Sequence, residues 1–104
     1  LPYAAVTKIF ATDLLDASKS LTVTLHGVLN NSCTHLDPQV VLQDSGEVTV
    51  ILQTVRVDMD AMCLQVLIPF QRVVDLGKKD PGNHLIHVRS MNGKAVNRVV
   101  EVLR

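Results

Sequence analysis

Apolar and polar side chains alternate with a period of two over several stretches of the chain. Leu21, Val23 and Leu25 alternate with Thr22 and Thr24, which is the spacing of a strand that buries one face. Residues 95–103 show the same alternation up to the C-terminal region. Residues 48–53 carry apolar side chains on both parities, so we expect a strand that is covered on both faces and lies inside a sheet.

Further strands are indicated at residues 38–43, 64–76 and 84–90, which are rich in Val, Leu or Ile and bounded by turn residues. The Asn92-Gly93 pair predicts a tight hairpin, because both residue types tolerate positive φ. Asp44-Ser45-Gly46 predicts a second hairpin. Pro69 cannot donate to a sheet ladder, so its strand is either an edge strand or split by a bulge, and we favour a split strand.

The strand spacing and the lack of a long amphipathic helix indicate an all-β fold. About seven strands separated by turns at 8 to 12 residues are typical of an antiparallel immunoglobulin-like β-sandwich. The chain of 104 residues, with 47% hydrophobic and 19% charged residues, is the right size for one such domain. We therefore expect a single domain over residues 1–104.

Charge and aromatic content exclude several classes of ligand. Lys plus Arg and Asp plus Glu both total 10, so there is no basic excess to neutralise nucleic acid or an anionic membrane surface. The aromatic share of 3% leaves few platforms on which bases or sugars could stack. No apolar run is long enough to span a membrane. Phosphate-cradling glycine motifs are absent, and we expect no cofactor.

Cys33 and Cys63 are the two cysteines of the chain. An even number of cysteines in a small β-rich domain favours one disulfide and an oxidising compartment. The alternative is a pair of buried thiols that act as small hydrophobic side chains in a reducing compartment. The disulfide would close a loop of about 30 residues and would contribute roughly 3.5 kcal/mol in the chain-entropy treatment.

Several short motifs resemble those of a known class of domain. They are Leu14-Leu15-Asp16, Asn31-Ser32-Cys33-Thr34, Asp60-Ala61-Met62-Cys63 and Ile68-Pro69-Phe70. Together the pattern resembles small bacterial secreted or lipoprotein-type domains of immunoglobulin-like fold that have no assigned activity. Cys33, Cys63 and Phe70 match that pattern, whereas Ser32 stands where the class tends to have Gly. The resemblance implies a disulfide-bonded sandwich outside the cytoplasm and implies no active site.

Catalytic and metal chemistry find little support in the residue spacing. His84 and His87 are three apart on a predicted strand, which sends them to opposite faces, so the histidines and cysteines do not suggest a zinc site. Cys33 near His35 is the one local pair that suggests a nucleophile, and a disulfide-bonded cysteine cannot attack a substrate. We therefore expect neither an enzyme nor a metal protein.

The remaining hypothesis is a non-catalytic accessory or binding module that is secreted, periplasmic or lipid-anchored at the cell envelope. Such a module would hold a protein partner through end loops or an open sheet edge. The exposed loops are expected at residues 30–37, 58–61 and 77–83, with candidate contact residues at His35, Asp58, Asp60, Lys78 and Lys79. The alternative is a protease inhibitor on the same frame, whose rigid loop enters an active-site cleft without being cut.

Overall fold

Strands account for nearly all regular structure in the computed structural model, which describes residues 2–59 and 62–104. Over these residues there are ten strands and one turn of 3-10 helix, at Met91–Gly93. The strands are β1 (Ala5–Phe10), β2 (Leu14–Asp16), β3 (Ser20–Leu29), β4 (Thr34–Leu36), β5 (Val41–Asp44), β6 (Val48–Leu52), β7 (Val55–Val57), β8 (Ile68–Lys78), β9 (Gly82–Arg89) and β10 (Ala95–Leu103).

The strands form two layers and a small ribbon. β1, β3 and β8 make a three-stranded sheet in the order β1-β3-β8, and a five-stranded sheet has the order β2-β10-β9-β6-β5. β4 and β7 form a separate two-stranded ribbon. The predicted all-β sandwich is confirmed. Six of the seven strands of four or more residues lie where strands were expected, whereas β1 was not predicted, and β2, β4 and β7 are three further short strands.

Pairing in the larger sheet is mixed, which corrects the expectation of a strictly antiparallel, immunoglobulin-like arrangement. β10 pairs in parallel with β2, and β6 pairs in parallel with β9. The second pair is possible because the chain leaves the sheet after β6, crosses to the other layer through β8 and returns as β9. A parallel pair requires such a crossover, whereas a hairpin gives an antiparallel pair.

The core lies between the two sheets and follows the alternation of the sequence. Leu21, Val23 and Leu25 of β3 point inward and are at most 1% exposed, while Thr22 faces solvent. Ile51 of β6 and Val88 of β9 face them from the other layer and are fully buried. Burying one such side chain contributes about 1.5–3 kcal/mol, so this apolar contact is what holds the two layers together.

Gly27 is an inward-facing residue of β3, and atoms of neighbouring strands occupy the space that its side chain would need. It pairs with Val6 on one side and with Phe70 on the other. A Cβ placed on Gly27 would lie 2.6 Å from ring atoms of Phe70 and 2.1 Å from the carbonyl oxygen of Ala5. The Phe70 ring therefore packs over the bare glycine backbone and fills this part of the inner face.

β8 is an edge strand, and this corrects the prediction of a split at Pro69. Pro69 is the second residue of a continuous strand that runs from Ile68 to Lys78, and it pairs with Val28 of β3. β8 has β3 as its neighbour on one side and no strand on the other in the described parts of the chain. An edge strand tolerates the missing N–H of proline, so no bulge is needed there.

Both predicted hairpins are present, but the one at Asn92-Gly93 is not tight, because residues 90–94 form a five-residue connection between β9 and β10. β5 and β6 pair across residues 44–49, with Gly46 at φ 92°. β9 and β10 pair up to Arg89 and Ala95, and the connection between them places Asn92 at φ 61° and Gly93 at φ 72°. The Asn-Gly pair thus supplies the two positive φ values that this turn requires.

The molecule is elongated, with extents of 52 × 21 × 20 Å. The long β3 and β8 ladder runs from the Ser20 and Lys78 pair to the Leu29 and Ile68 pair. Beyond the second pair lie the ribbon of β4 and β7 and both cysteines, which we call the disulfide end. Beyond the first pair lie the β5 to β6 turn and residues 79–81, which we call the turn end.

Candidate binding surfaces at the two ends of the sandwich

The structure distributes the predicted contact residues over both ends of the molecule. His35 lies on β4 and Asp58 directly follows β7, so these two meet at the disulfide end. Lys78 and Lys79 lie at the turn end, where β8 finishes. Asp60 lies outside the described residues. The candidate loops therefore form two separate surfaces.

The ribbon at the disulfide end is built from local hydrogen bonds. The side-chain oxygen of Asn31 accepts from the backbone N–H of Cys33 and from the hydroxyl of Thr34, both at 2.9 Å, which is a typical asparagine turn. The backbone N–H of Asp58 donates to the carbonyl of Cys33 at 2.8 Å. These contacts fix the ribbon, and His35, Arg56, Val57 and Asp58 line a shallow cavity of about 320 Å³ on it.

The predicted disulfide is confirmed. The sulfur atoms of Cys33 and Cys63 are 2.09 Å apart, and the two Cα atoms are separated by 5.3 Å. Cys33 is buried, whereas Cys63 lies at the surface. Two hydrogen bonds reinforce the link: the N–H of Ser32 donates to the carbonyl of Leu64 at 3.1 Å, and the N–H of Leu64 donates to Ser32 Oγ at 2.8 Å. Cys63 and Leu64 are therefore attached to Cys33 and Ser32, the two residues that directly precede β4.

The chain on both sides of this attachment exposes a group of apolar side chains. Residues 62–71 contain no charged residue, and together with Met59 they present six side chains that are between 36% and 98% exposed. These six form what we call the apolar segment: Met59, Met62, Leu64, Val66, Leu67 and Ile68. Single exposed apolar residues are ordinary, whereas several of them on one short stretch of chain are a candidate interaction surface. The group was missed in the sequence because a run of apolar residues is equally typical of a buried strand.

The turn end carries a different, polar surface. The ammonium group of Lys79 donates to Asp44, and the Lys79 side chain is only 8% exposed. The hydrogen bond from Lys79, with a second from the N–H of Gly46 at 2.8 Å, holds the pKa of Asp44 below its ordinary value. These residues border a cavity of about 360 Å³, and His84 is buried in its wall.

The sulfur chemistry of the site follows from the disulfide. Since both cysteines are joined, the Cys33 and His35 pair holds no thiolate that could act as a nucleophile. In the described residues no group of three or more His, Cys, Asp or Glu side chains is arranged to hold a metal ion.

No helix in the described residues has the length and apolar character that crossing a bilayer requires.

Comparison with known proteins identifies the domain. A model of the ORF11 beta-sandwich domain matches residues 23–102, which is most of the chain. The chain belongs to the ORF11 beta-sandwich domain family. The matched range starts within β3, ends within β10 and includes both cysteines and both end surfaces. No curated protein and no solved structure matches the chain.

Proposed function

We propose that this ORF11 beta-sandwich domain is a non-catalytic binding module that holds a protein partner at its disulfide end. The observation that carries the proposal is the apolar segment, which consists of Met59 and of five further exposed apolar side chains on the uncharged stretch from Met62 to Gln71. Covering one such side chain completely contributes about 1.5–3 kcal/mol. Several of them together can offset the entropic cost of association.

The attachment of the apolar segment favours binding further. The disulfide and the two hydrogen bonds between Ser32 and Leu64 hold the segment before any partner arrives. A surface that is already ordered loses less conformational entropy on binding than a free loop. The two methionines add flexible side chains that adapt to the shape of a partner. His35 and Asp58 lie at the same end and would form part of the polar rim that surrounds an apolar contact.

The compartment is part of the same proposal. A disulfide that closes 30 residues of sequence persists where thiols are not kept reduced. This supports an extracytoplasmic location, whether secreted, periplasmic or lipid-anchored at the envelope.

The test uses a random peptide library displayed on phage and selected against the oxidised domain. We expect enriched peptides rich in uncharged apolar residues, whose Kd rises at least about tenfold for Val66→Asp. Val99→Asp is the matched control, because Val99 is an exposed valine on the outer face of the five-stranded sheet. Peptides that lose affinity equally for both variants, or for neither, would contradict the proposal, as would a selection without enrichment.

A protease inhibitor on the same frame is the second candidate. The observation that favours it is the bracing of residues 31–34 by the Asn31 side chain and by the disulfide, since an inhibitory loop must be rigid to resist cleavage. Titration against a panel of serine and cysteine proteases separates the two functions. Stoichiometric inhibition at submicromolar protein would replace the binding-module proposal with this one.

A further inference from the structure

β8 leaves one of its two sides without a neighbouring strand. It runs for 11 residues, from Ile68 to Lys78, and within the described parts of the chain it pairs with β3 alone. On the side away from β3, alternate backbone N–H and C=O groups point outward rather than into a ladder. Such a row of groups is a template on which another strand can pair.

Two features that discourage pairing lie at the ends of β8 and leave its middle open. Pro69 has no N–H to donate at the first end. At the other end the register with β3 shifts between Asp75 and Lys78, and such a bulge twists an edge away from a neighbour. Between these two points the ladder with β3 is regular. A second strand can therefore pair with residues 70–75.

Arg72 is the one charged residue on the inner face of this open stretch, and its side chain is turned toward its own chain. Its guanidinium donates to the carbonyl oxygen of Asp37 at 2.7 Å and also to that of Pro38. An inward charge is a common way to protect an edge strand. Because these carbonyls already hold the Arg72 side chain, its charge does not block the edge.

The outward side chains of the open stretch are Gln71, Val73 and Asp75, which are all exposed. Val73 is 68% exposed and is the most exposed large apolar residue of β8. One carboxylate oxygen of Asp75 accepts from the backbone N–H of Gly77 at 2.8 Å. This contact fixes the orientation of the carboxylate, whose second oxygen is then available to a donor from another chain. An amide, a valine and a carboxylate thus follow one another along the edge.

This order of side chains is complementary to itself. In an antiparallel pair of two β8 strands centred on Val73, the two copies of Val73 lie opposite each other on the same face. Gln71 of each copy then lies opposite Asp75 of the other, and the amide donates to the carboxylate twice. Arg72 lies opposite Val74, so no two like charges meet across this ladder.

Neighbouring registers lack this complementarity. Centring the pair on Arg72 places two guanidinium groups opposite each other, and like charges in that position are destabilising. Centring it on Val74 places Val73 opposite Asp75, whereas centring it on Gln71 brings Pro69 into the ladder. Lys plus Arg and Asp plus Glu both total 10, so two copies carry no net charge that would oppose their approach.

We propose that two copies of the chain associate through antiparallel pairing of their β8 strands, centred on Val73, which joins the two three-stranded sheets into one sheet of six strands. This interface goes beyond the binding function, because it lies along the sheet edge rather than at the disulfide end. Antiparallel pairing points the two disulfide ends in opposite directions. The dimer therefore presents two separate apolar segments.

Sedimentation velocity of the oxidised protein over a concentration series tests the association. We expect a monomer and dimer equilibrium, with a dimer of twice the 11.4 kDa of one chain. Val73→Lys should raise the dissociation constant at least about tenfold, because two ammonium groups would meet at the symmetry axis. Val99→Lys is the matched control, since Val99 is 56% exposed but lies on β10, which has a strand on both sides. A wild type that stays monomeric up to its solubility limit, or an equal effect of both variants, would overturn the proposal.

Cross-linking tests the position of the symmetry axis. Opposite residues of an antiparallel pair have Cβ atoms about 4.5–5.5 Å apart, so Val73→Cys should form a disulfide-linked dimer under mild oxidation, seen on a non-reducing gel. Val99→Cys should not, and a dimer from both variants would show random collision and contradict the pairing. This measurement also decides the matter if Val73→Lys does not fold.

Val66→Asp distinguishes this interface from association through the apolar segment. The dissociation constant of the dimer should be unchanged in Val66→Asp, because Val66 precedes β8. If Val66→Asp dissociates the dimer and Val73→Lys does not, the contact lies at the disulfide end and the pairing of β8 strands is refuted. Failure of the peptide selection described above would leave these results unchanged, so the two proposals fail separately.

Discussion

The close approach of three strands at Gly27 leads to a quantitative prediction for Gly27→Ala. The new Cβ would lie 2.1 Å from the Ala5 carbonyl oxygen and 2.6 Å from two atoms of the Phe70 ring. Real Cβ atoms essentially never approach another heavy atom closer than 3.0 Å. The ring of Phe70 belongs to a side chain and can tilt. The Ala5 carbonyl belongs to the backbone of β1, which has to move by the difference between 3.0 and 2.1 Å, about 0.9 Å.

The cost follows from which of these groups has to move. Overpacking a filled core costs typically about 1–3 kcal/mol, and a displaced strand also stretches its hydrogen bonds to β3. Replacing glycine by alanine in a strand recovers about 0.5–1 kcal/mol of backbone entropy. We expect a net loss of about 1–2.5 kcal/mol in the free energy of unfolding, which is a large share for a domain of this size.

Urea unfolding of Gly27→Ala, Phe70→Ala and the double variant measures this cost. It also separates the part caused by the Phe70 ring from the part caused by the Ala5 carbonyl. If the Ala5 carbonyl is the main obstacle, Gly27→Ala should remain destabilising in the Phe70→Ala background. Gly46→Ala is the control, since no atom lies within 4 Å of its added Cβ and only its φ of 92° opposes the change, at about 1–2 kcal/mol. A Gly27→Ala protein within about 0.5 kcal/mol of wild type would refute the packing argument.

Three further predictions concern the disulfide, a buried hydroxyl and an acidic side chain. Replacing Cys33 and Cys63 together with Ala should lower the free energy of unfolding by about 3.5 kcal/mol, measured by urea unfolding against the oxidised wild type. Ser90→Ala should cost about 1–3 kcal/mol in the same assay, because the buried N–H of Val6 donates to Ser90 Oγ at 2.9 Å and would lose its acceptor. Asp44 has a lowered pKa in the folded state, so its stabilising contribution is present at neutral pH and lost as the pH falls through that value. In urea unfolding at pH values from neutral to about pH 3, Asp44→Asn should therefore lose less stability than wild type. The difference should be less than about 1 kcal/mol, because the Asp44 side chain is 45% exposed and solvent screens its ion pair.

The features that were predictable from the sequence are those fixed by neighbouring residues. The alternation from Leu21 to Leu25 specified β3 and its buried face, because a strand has a period of two. Asn92-Gly93 specified a hairpin, because the turn itself requires positive φ at these positions. The even number of cysteines predicted the disulfide correctly, although two buried thiols would have been compatible with the same sequence.

Other features depend on contacts between distant parts of the chain. The parallel pairing of β2 with β10 joins residues 14–16 to residues 101–103, and three residues are too few to show a preference for a partner. Pro69 was compatible with an edge or with a bulge, and only the order of strands decides between them. The contacts of the buried His84 were not predictable because its partners are backbone carbonyls, which every residue possesses and which leave no pattern in the side chains.

The β3 and β8 ladder keeps the two end surfaces far apart. It runs for about ten residues, which corresponds to roughly 30 Å at 3.3 Å per residue. Effects of substitutions add when the sites are more than about 7–10 Å apart and share no partners. Partner affinity at the disulfide end and acid sensitivity at the turn end can therefore be altered separately, by selection or by a protein engineer, without one change disturbing the other.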